Sequence, residues 1–368
     1  MSEQRITVSV SNLLVVLLTG LLLVLFWQLR SLLLTVMISV VLAASIVPVV
    51  NWAEKYGFPR WIATILVYLS LIGGFVGVGL LIGPTVIDQI DRLIRQLPLY
   101  LEALRVIAEG LAMRLSDNSP DVVRQFFNPE ALTGWVIRSS QQVLLRSYGI
   151  TRGILGGVVT FILCLFISGY MVSDSRTLIN SLIRLFPKPW DERLEAQVGP
   201  VGERMGAYLR GRILVSAILG GLTAVGLSVL GLSDFALGLG AIAGVTNLIP
   251  FLGPVLGTVP ALVVAISQGG WLFFWVLILF VIIQNLETYV LDPFLVGSSV
   301  GVHPLFQLLS VLGGVQVLGI IGALIVPPWF AGVSALIENL YLKPKLLAER
   351  RAAREAKDEK VRGVELRK

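Results

Sequence analysis

The side chains best suited to chemistry in this sequence are a few polar residues at the end of a long apolar stretch. From Ile213 to Leu286 the only formal charge is Asp234, and Glu287 follows directly. A carboxylate in a membrane span costs about 2.5–3.5 kcal/mol on insertion scales, so it normally faces a cavity or a partner. We therefore predict Glu287 as the coupling residue of a transport site. The alternative is that Glu287 lies near the lipid headgroups and pairs with an arginine.

Ahead of Glu287, the chain contains a segment in which no straight helix can persist. Proline removes a backbone donor and clashes with the preceding turn, and the run is interrupted by Pro250, Gly253, Pro254 and Pro260. Transporters build substrate and ion sites at such broken helices. We predict a substrate pathway along this segment, where Asn247 binds a cation or the hydroxyl groups of a polar solute. The alternative role for Asn247 is a hydrogen bond between helices, which contributes about 0.6 kcal/mol.

Further polar residues lie close to Glu287 in the sequence. Gln284 and Asn285 are within one helical turn of it, and Gln284 shares its helix face because the two are three residues apart. We include both in the predicted pathway. Asp292 precedes Pro293, where the span ends, which favours an interfacial cap over a site.

The sequence contains no pattern typical of an enzyme site. A single histidine, His303, and a single cysteine, Cys164, cannot form a metal-ligand cluster. No glycine-rich loop followed by Lys and Ser/Thr is present to hold a nucleotide phosphate. We therefore predict no enzymatic activity, no cofactor and no metal. His303 could titrate near neutral pH, but its position before Pro304 favours a structural helix start.

Composition indicates an integral membrane protein. The chain has 55% hydrophobic and 14% charged residues, with a mean hydropathy of +0.85, whereas soluble domains carry about 25% charge. Its net charge is +6, and residues 343–368 hold ten Lys or Arg against five Asp or Glu. Such a basic end is typical of a cytoplasmic tail, and this explanation is favoured over nucleic-acid binding. The first apolar run lacks a small-residue cleavage site, so we expect a retained span rather than a signal peptide.

Hydropathy divides the chain into an all-α series of spans and polar sections. The heptad-like spacing from Leu97 to Leu115 predicts a helix that packs either on its own loop or on a neighbouring subunit. The predicted segments are residues 1–87 (spans one to three), 88–148 (an amphipathic helical section outside the membrane), 149–173 (span four), 174–212 (cytoplasmic amphipathic helices), 213–342 (spans five to eight, with the broken helix at 247–260) and 343–368 (the basic cytoplasmic tail).

The charge distribution also predicts topology. If the N-terminus is inside, the basic 174–212 section also falls inside and span five crosses outward. Residues 271–291 and 304–336 are predicted as spans seven and eight, so a cytoplasmic tail requires 235–268 to cross an odd number of times. One helix with a broken half-helix fits that length, and a re-entrant segment is the other form such a break takes. The prediction is a polytopic protein of about eight transmembrane helices, with both termini cytoplasmic.

Several motifs together resemble one known family. They are Tyr208-Leu209-Arg210-Gly211, the segment from Asn247 to Pro254 with Pro260 after it, Gln284-x-x-Glu287 leading to Pro293 and Gly297, and Val300-Gly301-Val302-His303-Pro304 followed by Gly319, Gly322 and Pro327. This pattern resembles the AI-2E family of bacterial membrane proteins over nearly the whole chain. One residue departs from it. Arg212 stands where members of that family often have Gln, so no family role is carried over for that position.

The resemblance implies a multi-pass protein of the bacterial inner (plasma) membrane that exports a small polar solute, as in export of the signal autoinducer-2. It also implies a homo-oligomer, for which a pentamer is one candidate. Gly211, Pro293, Gly297, His303 and Pro304 are assigned structural or hinge roles on the same basis. Expected partners are therefore the lipid bilayer, further copies of the chain, and a small polar solute or a monovalent cation and protons, with no nucleic acid.

Three functions remain open from the sequence. The first is an exporter of a small polar solute, whose access alternates as the broken segment moves against spans seven and eight. The second is a sodium or lithium/proton antiporter in which Glu287 exchanges a proton for the cation. The third is a non-transporting membrane scaffold whose 88–148 section binds a partner.

Overall fold

The protein is built from helices throughout the part described by the computed structural model, which covers residues 10–115, 147–297 and 303–365. Three short π-helical segments follow or join the α-helices at Glu287–Leu291, Pro293–Gly297 and Glu338–Leu342. The α-helices are α1 (Val10–Gln28), α2 (Arg30–Glu54), α3 (Arg60–Leu115), α4 (Ser147–Ser173), α5 (Ser175–Ile183), α6 (Trp190–Val229), α7 (Ser233–Thr246), α8 (Leu252–Gln268), α9 (Gly270–Leu286), α10 (Pro304–Ile337) and α11 (Lys343–Glu365).

The apolar surface of these helices confirms the all-α polytopic membrane fold. Among the described residues, six helices are long and apolar enough to cross a bilayer, and α7 and α8 are shorter apolar helices. Large apolar side chains point outward where a soluble protein would place polar ones. Phe75, Leu80 and Leu81 on α3 are 80%, 73% and 81% exposed. Such a surface is stable only against lipid or another apolar surface.

Helices α7 and α8 form an antiparallel pair, which we name hairpin A. A side chain at Gly257 would come within 2.8 Å of the Cα atom of Ala243, and Leu239 of α7 belongs to the same buried cluster as Ala261 of α8. At 14 and 17 residues, the two helices are about 21 and 26 Å long, less than the ~30 Å hydrocarbon core. The chain therefore reverses at the break, and residues 235–268 form a helical hairpin. How this hairpin enters or crosses the membrane stays a prediction.

Helix α10 is also a hairpin, which we name hairpin B. At Gly319 the backbone takes φ 68° and ψ −155°, which splits the helix into two limbs. The rings of Phe306 and Phe330 stack with centroids 5.8 Å apart, although 24 residues would separate them by about 36 Å in a straight helix. A side chain at Gly314 would lie 2.5 Å from the carbonyl oxygen of Gly322. Residues 304–336 therefore turn back on themselves at Gly319.

The two hairpins pack at different points along α6. A side chain at Gly240 of hairpin A would come within 2.6 Å of the carbonyl oxygen of Gly220, in the second half of α6. The residues that end hairpin B lie against the first half, where Glu338 pairs with Arg204 at 2.6 Å. The number of membrane crossings and the side of the membrane on which the tail lies stay predictions.

Two predicted boundaries fall inside continuous helices. Helix α6 runs without interruption from Trp190 through residue 212 into the membrane. Helix α3 likewise continues past residue 87 to Leu115, and its Leu93 and Tyr100 pack against the cluster that holds hairpin A together. Residues 116–146 and the side chains of most of the heptad-like seam lie outside the described residues. The alternatives for the partner of that seam stay predictions.

Candidate functional site

A buried arginine organises the polar residues at the centre of the molecule. Arg212 of α6 is 2% exposed, and its Nη1 donates to Oε1 of Glu287 at 2.9 Å. The same nitrogen lies 3.4 Å from Oδ1 of Asp292, and Nη2 donates to Oδ1 of Asn247 at 3.2 Å. One guanidinium thus joins α6, the turn of hairpin A and the π-helical segments after α9.

Glu287 is bonded by neutral donors as well as by the arginine. Its side chain is 5% exposed. Asn247 Nδ2 donates to Oε1 at 3.1 Å, and Gln284 Nε2 donates to Oε2 at 3.2 Å. Removing either partner of a buried ion pair leaves an uncompensated charge, which costs about 3–5 kcal/mol. The two amides and the guanidinium together fix the position of the Glu287 side chain.

The turn of hairpin A positions Asn247 in this cluster. Asn247 ends α7, and Phe251 then adopts φ 66°, a value that side-chain-bearing residues seldom take. The hydroxyl of Thr246 donates to the carbonyl oxygen of Gly253 at 3.1 Å and closes the turn. A side chain at Gly253 would come within 2.4 Å of the Cα atom of Asn247. The break therefore works as a tight reversal that delivers an amide to the buried carboxylate.

Glycines bring the supporting helices into direct backbone contact. A side chain at Gly220 of α6 would lie 2.9 Å from the carbonyl oxygen of Gly240 of α7, and one at Gly244 would lie 3.0 Å from that of Ser216. At Gly211 the added carbon would meet the carbonyl oxygen of Leu295 at 2.2 Å. Small residues permit this packing within a membrane. They set the short distances over which Arg212 reaches its partners.

A small cavity adjoins the cluster between α6, hairpin A and α9. Its volume is about 20 Å³, enough for one water molecule. The polar residues in its wall come from all three elements, and apolar groups complete it. The lining polar side chains are Thr223, Asn247, Thr258, Gln284 and Glu287.

Two buried polar atoms near the cluster have no hydrogen-bond partner among the described residues. They are Nε of Arg212 and Oγ of Ser216, which lie four residues apart on α6 and so share a face of that helix. Both residues are less than 5% exposed. An unmade hydrogen bond of this kind costs about 1–3 kcal/mol.

The structure brings some of the predicted residues together and separates others. Asn247, Gly253, Pro254, Gln284 and Glu287 surround the cavity, and Pro250 is buried in the turn beside it. Asn285 is exposed and its amide donates to the Val281 carbonyl of its own helix, so it does not reach the cluster. Pro260 lies within α8 and does not line the cavity.

The residues assigned structural roles lie at helix boundaries or close contacts. Nδ1 of His303 accepts from the backbone N–H of Leu305 at 3.2 Å and caps hairpin B, whose first residue is Pro304. Pro293 begins the second π-helical segment and Gly297 ends it. No group of three or more metal-ligating side chains occurs within residues 10–115, 147–297 and 303–365.

Sequence reasoning missed the central residue. Arg212 was given no role, and Asp292 was interpreted as an interfacial cap, although both belong to the cluster. One signal was available, because Arg212 is the last charge before a stretch in which Asp234 is the only one. A cation at that position faces the same insertion cost as Glu287. The two opposite charges bordering one apolar stretch were candidates for a pair.

Comparison with known proteins agrees with the membrane fold. A model for the AI-2E family transporter matches residues 13–342. The chain is 30% identical over 312 residues to "Putative transport protein YrrI" of Bacillus subtilis, covering 82% of this chain and 85% of that protein. It is 26% identical over 307 residues to "Putative permease PerM" of Escherichia coli, with 82% and 84% covered. The chain therefore belongs to the AI-2E family, and it is a multi-pass membrane protein of a transporter family.

Proposed function

We propose that this protein exports a small, polar, uncharged solute across the bacterial inner membrane. The observation that carries the proposal is the cavity at the turn of hairpin A, where Asn247, Gln284 and Glu287 converge on one buried point. Glu287 is already paired with Arg212 at 2.9 Å. A site whose charges compensate each other suits a neutral molecule that offers hydroxyl or carbonyl groups.

Hairpin A is the element whose movement would open the cavity. The present volume of about 20 Å³ admits water but not a metabolite. Its turn is held to the cluster by the hydrogen bonds of Asn247 to Arg212 and Glu287. A solute that replaces these bonds would release the turn, so binding and opening would be linked.

A sodium or lithium/proton antiporter is the second candidate. Two carboxylates, Glu287 and Asp292, lie within 3.4 Å of a single guanidinium. The three groups together carry one net negative charge when both carboxyls are ionised. That excess favours a monovalent cation or a proton as a transported species.

The arrangement in the membrane follows from the charged ends. The first half of α6 and the residues just before α11 lie together, joined by Arg204 and Glu338, and this end of the molecule leads into the basic tail. We propose that this end is cytoplasmic, because the basic tail begins there, and that the N-terminus lies on the same side. A homo-oligomer, such as a pentamer, remains part of the proposal.

Solute efflux from proteoliposomes tests the proposal directly. Vesicles would be loaded with autoinducer-2, and then with other small hydroxylated carbonyl compounds, for wild type, Glu287→Gln and Asn285→Ala. Glu287→Gln should reduce efflux at least about tenfold, because the site loses the carboxylate that binds Arg212, Asn247 and Gln284. Asn285→Ala is the matched control and should retain efflux, because Asn285 bonds to its own helix.

The same vesicles separate the other candidates. With an internal pH dye and an imposed proton gradient, sodium or lithium should evoke a pH change only in an antiporter, and Glu287→Gln should abolish that change. Efflux that is equal in Glu287→Gln and wild type would contradict the transport site. A function lost on deletion of residues 88–148 but untouched by Glu287→Gln would favour the scaffold.

A further inference from the structure

Three oxygen atoms from separate elements converge on the Arg212 guanidinium. They are Oε1 of Glu287 at 2.9 Å, Oδ1 of Asn247 at 3.2 Å and Oδ1 of Asp292 at 3.4 Å. Carboxylate and amide oxygens are the ligands that hard cations prefer in proteins. In this chain the position at which such oxygens meet is occupied by a covalently attached positive charge.

We propose that the Arg212 guanidinium takes the place of a coupling cation, so that this transporter binds neither sodium nor lithium at Glu287. This proposal rests on the transport function proposed above for the same site. It distinguishes the two candidate activities, because the oxygens of Glu287 and Asn247 that would hold an exchangeable cation already bind the guanidinium.

Burial makes the counter-charge necessary. The side chains of Arg212 and Glu287 are 2% and 5% exposed, and an isolated ionised group at such a site is strongly unfavourable. Arg210, two residues earlier on α6, cannot substitute. Its Nη1 donates to the carbonyl oxygens of Ala44 and Ser45 on α2. Among the described residues, Arg212 is the cation that pairs with Glu287.

The chemistry of arginine makes this counter-charge permanent. The guanidinium of arginine is not deprotonated in proteins, so its positive charge is always present. The group is also anchored to α6, so it cannot dissociate as sodium or a proton would. Hairpin A can then respond to a neutral solute while the charge of Glu287 stays compensated throughout.

Thermal unfolding of the purified full-length protein tests the inference without any transported solute. Wild type, Arg212→Gln and Arg212→Gln/Glu287→Gln would be melted in sodium, lithium or N-methylglucamine chloride at equal ionic strength. A ligand that binds only the folded state raises the melting temperature. Sodium or lithium should raise that of Arg212→Gln by at least about 2 °C and leave wild type unchanged. The double variant should lose the response.

Two controls make the result specific. Arg212→Lys keeps a positive charge at the position and should show no sodium response. Arg204→Gln removes the arginine of α6 that pairs with Glu338. This variant should also show no sodium response. A sodium or lithium response in Arg212→Lys or Arg204→Gln equal to that of Arg212→Gln would overturn the inference.

The melting temperature of wild type with and without sodium tests the proposal even if Arg212→Gln does not fold. A sodium-induced stabilisation of wild type that Glu287→Gln removes would overturn the proposal, and its absence supports the proposal. A folded Arg212→Gln variant without any cation response would equally overturn it. None of these outcomes depends on efflux, so they are distinguishable from a failure of the exporter function.

Discussion

Two arginine–glutamate pairs extend from α6, and they differ mainly in burial. Arg204 pairs with Glu338 at 2.6 Å and Arg212 with Glu287 at 2.9 Å. Eight residues, about 12 Å along the helix, separate the two arginines. The side chains of the first pair are 21% and 33% exposed, whereas those of the second are 2% and 5% exposed.

The comparison shows that distance does not reveal which pair has a function. The shorter pair lies at the edge of the fold, where Glu338 also contacts Lys343 at 3.3 Å, and exposed pairs contribute about 0–1 kcal/mol. The longer pair carries the full cost of taking two charges out of water. Because a buried pair contributes little net stability, we propose that the inner pair serves transport.

The largest predicted difference is the cost of removing each arginine. Arg212→Met should lower the free energy of unfolding by about 3–5 kcal/mol because Glu287 is left buried and unpaired. Arg204→Met should lower it by no more than about 1 kcal/mol. Denaturant unfolding in detergent, followed by circular dichroism, measures both. If both variants lost the same free energy of unfolding, burial would not explain a difference between the two pairs.

The next largest effect concerns the glycines beside the two arginines. Gly211→Ala would place a methyl group 2.2 Å from the Leu295 carbonyl oxygen, and overpacking of this kind costs about 1–3 kcal/mol. Gly202→Ala meets nothing within 4 Å and should stabilise α6 by about 0.5–1 kcal/mol. Melting temperatures of the two single variants should therefore move in opposite directions. A stabilising Gly211→Ala would show that α6 is not in close contact with the π-helical segment.

The smallest effect is the response of each pair to salt. Mobile ions screen exposed charges over about 10 Å at 0.1 M and about 3 Å at 1 M. A double-mutant cycle on Arg204 and Glu338 should give a coupling energy of about 1 kcal/mol or less that falls with added salt. The cycle on Arg212 and Glu287 should give a larger value that salt leaves unchanged. A strong salt dependence at the inner pair would indicate that water reaches it.

Part of the site was predictable because proline and charged residues are unfavourable within an apolar helix. The prolines between residues 250 and 260 predicted a broken helix, and Glu287 predicted a cavity or a partner. Both follow from local chemistry, since a missing backbone donor and a buried charge carry their costs wherever the chain folds. The face shared by Gln284 and Glu287 was predictable for the same reason, because helical spacing is local.

The sequence predicted where the helix is interrupted, but it did not predict that the chain reverses direction there. Proline shows where a helix stops but not the direction in which the chain continues, so hairpin A was interpreted as a crossing. In hairpin B the turning residue, Gly319, lies in an uninterrupted apolar run. Its length was the available signal: 34 residues span about 51 Å as one helix, well beyond a ~30 Å core.

The sequence alone determined that the chain is an all-α membrane protein with a few buried polar residues, because hydropathy, helical period and the cost of buried charge are local properties. Only the tertiary structure decided which groups meet. Arg212 and Glu287 are 75 residues apart, and their pairing requires the glycine contacts between α6 and α7, the turn of hairpin A and the π-helical segment after α9. Such non-local packing sets distances that no periodicity encodes.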